Sequence, residues 1–153
     1  MTRPTGFEFS SGIEVVSPGR TITEADVVAF AGLTGDYAEL HTNAELMAES
    51  EFGERIAHGM LGMSIQLGLA TRVMPSYGGV AFLGISDWRF LRPVLIGDTV
   101  RARVQVTGIR DSRSRPGHEV VTLRRDLVNQ RDEITQTGTT ISLARKRTGS
   151  TSD

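Results

Sequence analysis

The chain has 153 residues, 39% of them hydrophobic, with 17 Lys and Arg against 18 Asp and Glu for a formal net charge of -1, and no cysteine. That length suits a single domain large enough to bury a core, and charges of both signs spread along it give no reason to expect nucleic acid or an anionic membrane as partner. Without cysteine there is no disulfide, no thiol nucleophile and no Cys-based zinc site.

The N-terminal stretch MTRPTGFEFSSG lacks the apolar core of a signal peptide. Residues 1–11 read as a flexible lead-in, residues 12–145 as the single folded domain, and residues 146–153 as a flexible polar tail. An extended piece is expected near Ile13 to Val16. Thr23 with Asp26 then resembles a capping box, and Val27, Val28, Phe30 and Ala31 follow at helical spacing until Gly32 or Gly35 ends the helix. Asn43 can cap a short helix, NAELMAES, stopped near Phe52 and Gly53. A longer helix is expected from about Ile56 to Val73, apolar over most of its length and therefore buried, with Gly59, Gly62 and Gly68 explained by close backbone packing. It is interrupted by Gln66, Arg72 and these glycines, so no membrane span is expected, and the cytoplasm is the default location. The chain beyond this helix is strand-like: VAFLGISDWRFL, then TVRARVQVTGI, where Val100, Ala102, Val104 and Val106 alternate with Arg101, Arg103, Gln105 and Thr107. EVVTLRRDLVNQ and EITQTGTTISLAR continue the series across the turn-forming stretches DSRSRPGH and NQRD, implying antiparallel meanders. Helices first and antiparallel strands after them give an α+β domain, a long helix lying along the concave face of a sheet, as in a hot-dog fold. Exposed sheet edges would favour pairing with a second copy, making a homodimer the expected minimum.

Residues 34–62 carry the functional signal. Asp36 and His41 make an acid/base pair able to hold one water, one group accepting its proton while the other donates, which is the equipment for adding water across a polarised double bond. Gly59, if it opens a helix, offers a backbone N–H with no intrahelical partner to a developing oxyanion. Taken singly, Asp36 reads as a turn or capping residue and His41 as a loop histidine bonded to backbone; their conjunction with IAHGM on a buried helix favours the functional reading. His58 is expected to orient the helix start, Tyr37 to line the cleft or simply pack, and His118 to be solvated. With no HExxH, no His pair at helical spacing and no Cys ligand, no metal is expected.

These stretches resemble the MaoC-like or R-specific enoyl-CoA hydratases, whose signature is broadly GDxNPxH followed by IxHGM; here they read GDYAELH and IAHGM. The likeness extends through AGLTGD, FGERIAHGML and FLRPVLIGDTV, over roughly residues 21–108. It implies a hot-dog fold, Asp36 and His41 as the catalytic pair, the Gly59 amide on the thioester carbonyl, an acyl-CoA thioester as substrate and no cofactor beyond its CoA. The implied reaction is reversible hydration of a trans-2-enoyl-CoA to the (R)-3-hydroxyacyl-CoA. The usual Asn-Pro is replaced by Ala38 and Glu39, removing a rigid proline and adding a carboxylate beside the pair. The alternatives are an acyl-CoA thioesterase of the same fold and a non-catalytic CoA-binding subunit.

Overall fold

A computed structural model describes residues 11–74 and 79–146. The expected flexible ends, apart from Ser11 and Lys146, lie outside these residues. In chain order come β1 (Glu14–Val16), β2 (Arg20–Thr21), α1 (Glu24–Thr34), α2 (Glu39–Thr42), α3 (Ala44–Ala48), α4 (Gly59–Ala70), β3 (Gly79–Phe90), β4 (Thr99–Asp111), β5 (His118–Val128) and β6 (Ile134–Arg145). The capping box at the start of α1 is formed: Thr23 Oγ1 accepts from Asp26 N at 3.3 Å, and Asp26 Oδ2 accepts from Thr23 N at 2.9 Å. Gly35 ends the helix at φ 78°, a left-handed conformation that costs glycine little. Asn43 Oδ1 caps α3 through Leu46 N at 3.0 Å.

The sheet is six-stranded, ordered β1-β4-β5-β6-β3, with β2 pairing β4 beside β1. Strands β4, β5 and β6 form the expected meander, but β3 pairs antiparallel with β6 and not with its sequence neighbour β4. The connection through Val94 and Leu95 instead runs against the segment that precedes α4, where Ala57 N donates to Val94 O and Ile56 bridges Leu95. This contact also explains why the central helix is shorter than its apolar run: Ile56 and Ala57 are held extended, and α4 begins only at Gly59. Leu61, Ile65 and Leu69 of α4 pack on Val100, Ala102, Val104 and Val106 of β4 and on Val121, Leu123 and Leu127 of β5. Leu127 is 0% exposed, so burying it alone contributes about 1.5–3 kcal/mol. The β4 alternation therefore reads correctly, while β3 does not alternate. Its Phe82, Leu83, Ile85 and Phe90 are all exposed, and the strand runs along the open edge.

Candidate active site

Three local structures converge at the start of α4. The Gly35 cap turns the chain out of α1, so that Asp36 follows immediately; its N–H donates to Thr34 Oγ1 and its Oδ1 accepts from Ala38 N, both at 3.3 Å. One step on, α2 carries His41, which is 6% exposed. The third is the extended Ile56–Ala57 segment leading to His58, the N-cap of α4, and to Gly59, its first residue.

His41 Nδ1 lies 2.7 Å from Ile56 O. A carbonyl can only accept, so Nδ1 carries the proton and Nε2 presents a lone pair in the neutral ring. Nε2 faces Asp36 Oδ2 at 4.0 Å. That gap is too long for a direct hydrogen bond. It is the separation at which one water, about 2.8 Å from each atom, bridges both at an angle of about 90°. His58 Nε2 donates to the Asp36 carbonyl at 3.0 Å, and its ring stacks on His41 with centroids 3.7 Å apart and planes 28° apart. His58 thus fixes the backbone of one partner and the ring face of the other, as expected for an orienting residue; its Nδ1 is buried without a protein partner.

Asp36, His41 and His58 each bring one ligand-type atom within 4.8 Å of the others, a grouping that sequence spacing did not reveal. His41 Nδ1 and His58 Nε2 each bond a backbone carbonyl, so the neutral rings keep one lone pair apiece, on His41 Nε2 and His58 Nδ1. Glu39 opens α2 and its Oε1 accepts from Asn43 Nδ2 at 3.3 Å, along the helix and toward α3. Tyr37 is 63% exposed, so most of its ring faces solvent. His118 bonds the Pro116 carbonyl at the β4–β5 turn, far along the sequence from the site.

His41 and Gly59 share the wall of a cleft of about 440 Å³. Leu40, Phe52, Ile56, Phe90 and Val94 supply apolar surface there, and Arg92 and Gln136 polar groups. Arg92 pairs with Glu133 at 3.7 Å and donates to Ile134 O, which makes it a member of a surface ion pair at the cleft rim. As the first residue of α4, Gly59 has an N–H without an intrahelical acceptor, at the positive end of the helix dipole. A Cβ there would lie 2.8 Å from Phe90 Cε1, so only glycine lets the ring close over this helix start.

Sequence reasoning missed the floor of the site. Gln136, 2% exposed, donates from Nε2 to Gly59 O at 3.0 Å and accepts from Trp88 Nε1 at Oε1 at 3.2 Å. A Cβ on Gly62 would come within 2.2 Å of Gln136 Nε2, and one on Gly138 within 2.4 Å of Trp88. A glycine inside the β6 run and another inside the α4 run were the available signals, since each marks a close approach. Gly68, by contrast, has nothing within 4 Å of its Cβ position, so close packing does not explain it in this chain.

A family profile described as "MaoC like domain" matches residues 10–128. The (R)-specific enoyl-CoA hydratase of Rhodospirillum rubrum is 43% identical over 94 residues, 61% of this chain and 63% of that protein. The chain spans less than two thirds of the length of the first curated relatives it matches. Among solved structures, the monoamine oxidase regulatory protein from Archaeoglobus fulgius superposes with a TM-score of 0.83 at 39% identity, over 90% of this chain and 92% of that one. A Mycobacterium tuberculosis protein described as a double hotdogfold superposes with a TM-score of 0.82 at 21% identity, over 95% of this chain and 45% of that one, a likeness of fold.

Proposed function

Since the chain belongs to the MaoC-like domain family, we propose that it reversibly hydrates a trans-2-enoyl-CoA to the (R)-3-hydroxyacyl-CoA. The observation that carries this reading is the tie of His41 Nδ1 to Ile56 O at 2.7 Å, which leaves Nε2 as the acceptor facing Asp36 in a cleft that also holds Gly59. A water between Asp36 and His41 loses a proton to Nε2 as its oxygen bonds to C3 of the enoyl group. The C2–C3 π electrons move toward the thioester, whose oxygen takes up negative charge beside the Gly59 N–H. The enolate collapses as C2 takes a proton from the pair, so one water is added in all and the pair is regenerated. No cofactor other than the CoA of the substrate enters this scheme, and no metal is required by it.

The open β3 edge, with Phe82, Leu83 and Ile85 exposed along it, supports association with a second copy of the chain.

The test is incubation with crotonyl-CoA, following loss of the enoyl-thioester absorbance together with a thiol reagent that reports free CoA. Absorbance loss without thiol, reduced by several orders of magnitude in Asp36→Asn and in His41→Gln, is the expected result. Thiol release would replace hydration by thioester cleavage, and acyl-CoA binding without turnover across a panel of enoyl chains would make the chain a non-catalytic subunit.

A further inference from the structure

We propose that the diphosphate of the substrate's CoA is held by a second copy of the chain, in a basic pocket formed by the partner's Arg110, the partner's Arg113 and the partner's Arg115; this deepens the hydratase reading and rests on it. The pocket, of about 370 Å³, lies at the β4–β5 turn over an apolar floor of Ala81, Leu83, Val120 and Leu143. Its loop is folded by its own bonds: Ser112 Oγ accepts from Arg115 N at 3.2 Å, and Ser112 N donates to His118 O at 3.0 Å. Asp111 is the nearest carboxylate in sequence, and Lys146 Nζ takes it at 2.7 Å. Among the described residues no ion pair engages Arg113 or Arg115. Guanidinium groups held this way suit phosphate, whose oxygens they bond in pairs.

Within one chain this pocket is out of reach of the cleft. Ala81, on the pocket floor, and Phe90, in the cleft wall, stand near opposite ends of β3, roughly 30 Å apart at about 3.3 Å per residue. The pantetheine arm between the sulfur and the diphosphate is about as long as four or five extended residues, roughly 15 Å. Association shortens the distance. Two copies of the open β3 edge, paired along their full length about a two-fold axis normal to the sheet, run antiparallel, so the Gly79 end of one strand lies beside the Phe90 end of the other. Neighbouring strands are about 4.8 Å apart and the pocket reaches over β3 and the adjoining β6, which brings the partner's arginines within roughly 10–15 Å of Phe90. Arg89 pairs with Thr137 and Ala81 with Leu143, an even step along β6, so both stand on one face of the sheet. Arg89 of the chain that owns the cleft thus extends the partner's pocket toward it. Phe90 faces α4 on the other side. The arm changes face beyond the end of β3, where Leu91, Arg92 and Pro93 line the cleft.

The contact is read by the ratio of kcat/KM for crotonyl-CoA to that for crotonyl-pantetheine, which has the same arm and no phosphate. In wild type this ratio should fall as ionic strength rises. Arg113→Glu with Arg115→Glu should lower it about tenfold, through KM, and flatten its salt dependence. Mixed dimers then show which chain supplies the arginines. With His41→Gln on one chain and the double arginine substitution on the other, the surviving cleft meets intact arginines of its partner, and the ratio should match wild type. With all three substitutions on one chain, the intact cleft of the other meets the altered loop, and the ratio should drop. The reverse pattern would place the arginines in the cleft's own chain. An unchanged ratio in the double variant would remove them from CoA binding, and a monomeric wild type with the same ratio would remove the partner; each of these overturns the proposal. Should the double variant fail to fold, Arg113→Gln with Arg115→Gln repeats the comparison, and an unchanged ratio there refutes it equally. A wild-type protein that hydrates neither thioester would instead remove the hydratase reading itself.

Discussion

Two glycines on one helix should respond to alanine with opposite signs. In α4, Gly→Ala at a position with free space gains about 1 kcal/mol of helix propensity. Gly68 is such a position, exposed and with nothing within 4 Å of its Cβ site. At Gly62 the same methyl would sit 2.2 Å from Gln136 Nε2, 3.1 Å from its Cδ and 3.3 Å from Leu127 Cδ2. Leu127 is fully buried, and the Gln136 amide is tethered at both ends, so neither yields freely. Overpacking of this kind costs about 1–3 kcal/mol, and displacing the amide from Gly59 O costs a further 0.5–1.5 kcal/mol or so. The propensity gain offsets only part, leaving Gly62→Ala about 1–3 kcal/mol less stable than wild type. For a domain of this size each kcal/mol moves the melting temperature by roughly 2–4 °C. Thermal unfolding of both variants, at one protein concentration because self-association shifts the midpoint, measures the difference. A Gly62→Ala protein as stable as wild type, or shifted in the same direction as Gly68→Ala, would refute the argument that Gly62 exists to seat Gln136.

Arg125 on β5 is 6% exposed, bonds Thr140 Oγ1 at 2.6 Å, and leaves one guanidinium nitrogen without a partner, and burial pushes its pKa down to about 10 while leaving it charged at neutral pH. Arg125→Met removes that uncompensated charge and should equal or exceed wild type in denaturant midpoint; a loss of more than about 1 kcal/mol would contradict this. The Arg55 hydrogen bond holds Glu24 below the ordinary carboxylate range. A depressed folded pKa contributes stability that is present at neutral pH and lost as acid protonates the group. Glu24→Gln should therefore unfold with a shallower acid dependence than wild type, an effect kept small by exposure, and an unchanged acid titration of the melting temperature would count against it. Placing charges on the β3 edge with Phe82→Lys and Leu83→Lys should convert a dimer to monomer in sedimentation, and an unmoved mass would place the association surface elsewhere.

The parts of the fold legible in the sequence were those set by local rules. Thr23 with Asp26 announces the start of α1 because a capping box is a contact within four residues, and the Val100 to Val106 alternation announces β4 because its period belongs to the strand itself. Strand β3 could be read as a strand from VAFLGISDWRFL but not placed: an edge strand with apolar side chains on both faces has no burial period to read, and its pairing with β6 depends on a crossover that no local pattern encodes. The same division holds in the site. Asp36, His41 and Gly59 stood out because their spacing repeats a recognisable signature. Gln136 and Trp88 did not, because their meaning arises only when β6 and β3 are laid beneath α4. The central helix also began later than its hydrophobicity suggested, since Ile56 and Ala57 are drawn into extended hydrogen bonds with Leu40 and Val94.

The replacement of Asn-Pro by Ala38-Glu39 can be judged from where those residues fall. Glu39 is the first residue of α2, the helical position at which proline fits best, because its missing N–H would be an orphan there and its fixed φ suits the helix. Ala38, at φ -54° and ψ 141°, already has the extended conformation that a following proline demands. The geometry that a proline would impose is thus held by other means: Asp36 Oδ1 on Ala38 N, His58 Nε2 on Asp36 O, and Thr42 Oγ1 donating to Tyr37 O and Ala38 O at 3.2 Å each. An acidic side chain at Glu39 also faces the favourable end of the short helix dipole. Glu39→Pro should then fold and stabilise the protein by about 0.4–1 kcal/mol through the unfolded chain, less the weak 3.3 Å bond from Asn43, with turnover near wild type. If turnover instead changed tenfold or more while stability rose, Glu39 would be acting on the Asp36–His41 pair through its charge. Glu39→Gln separates the two causes: it removes the charge and keeps the backbone, so a matching change there assigns the effect to the carboxylate, and none assigns it to the loop.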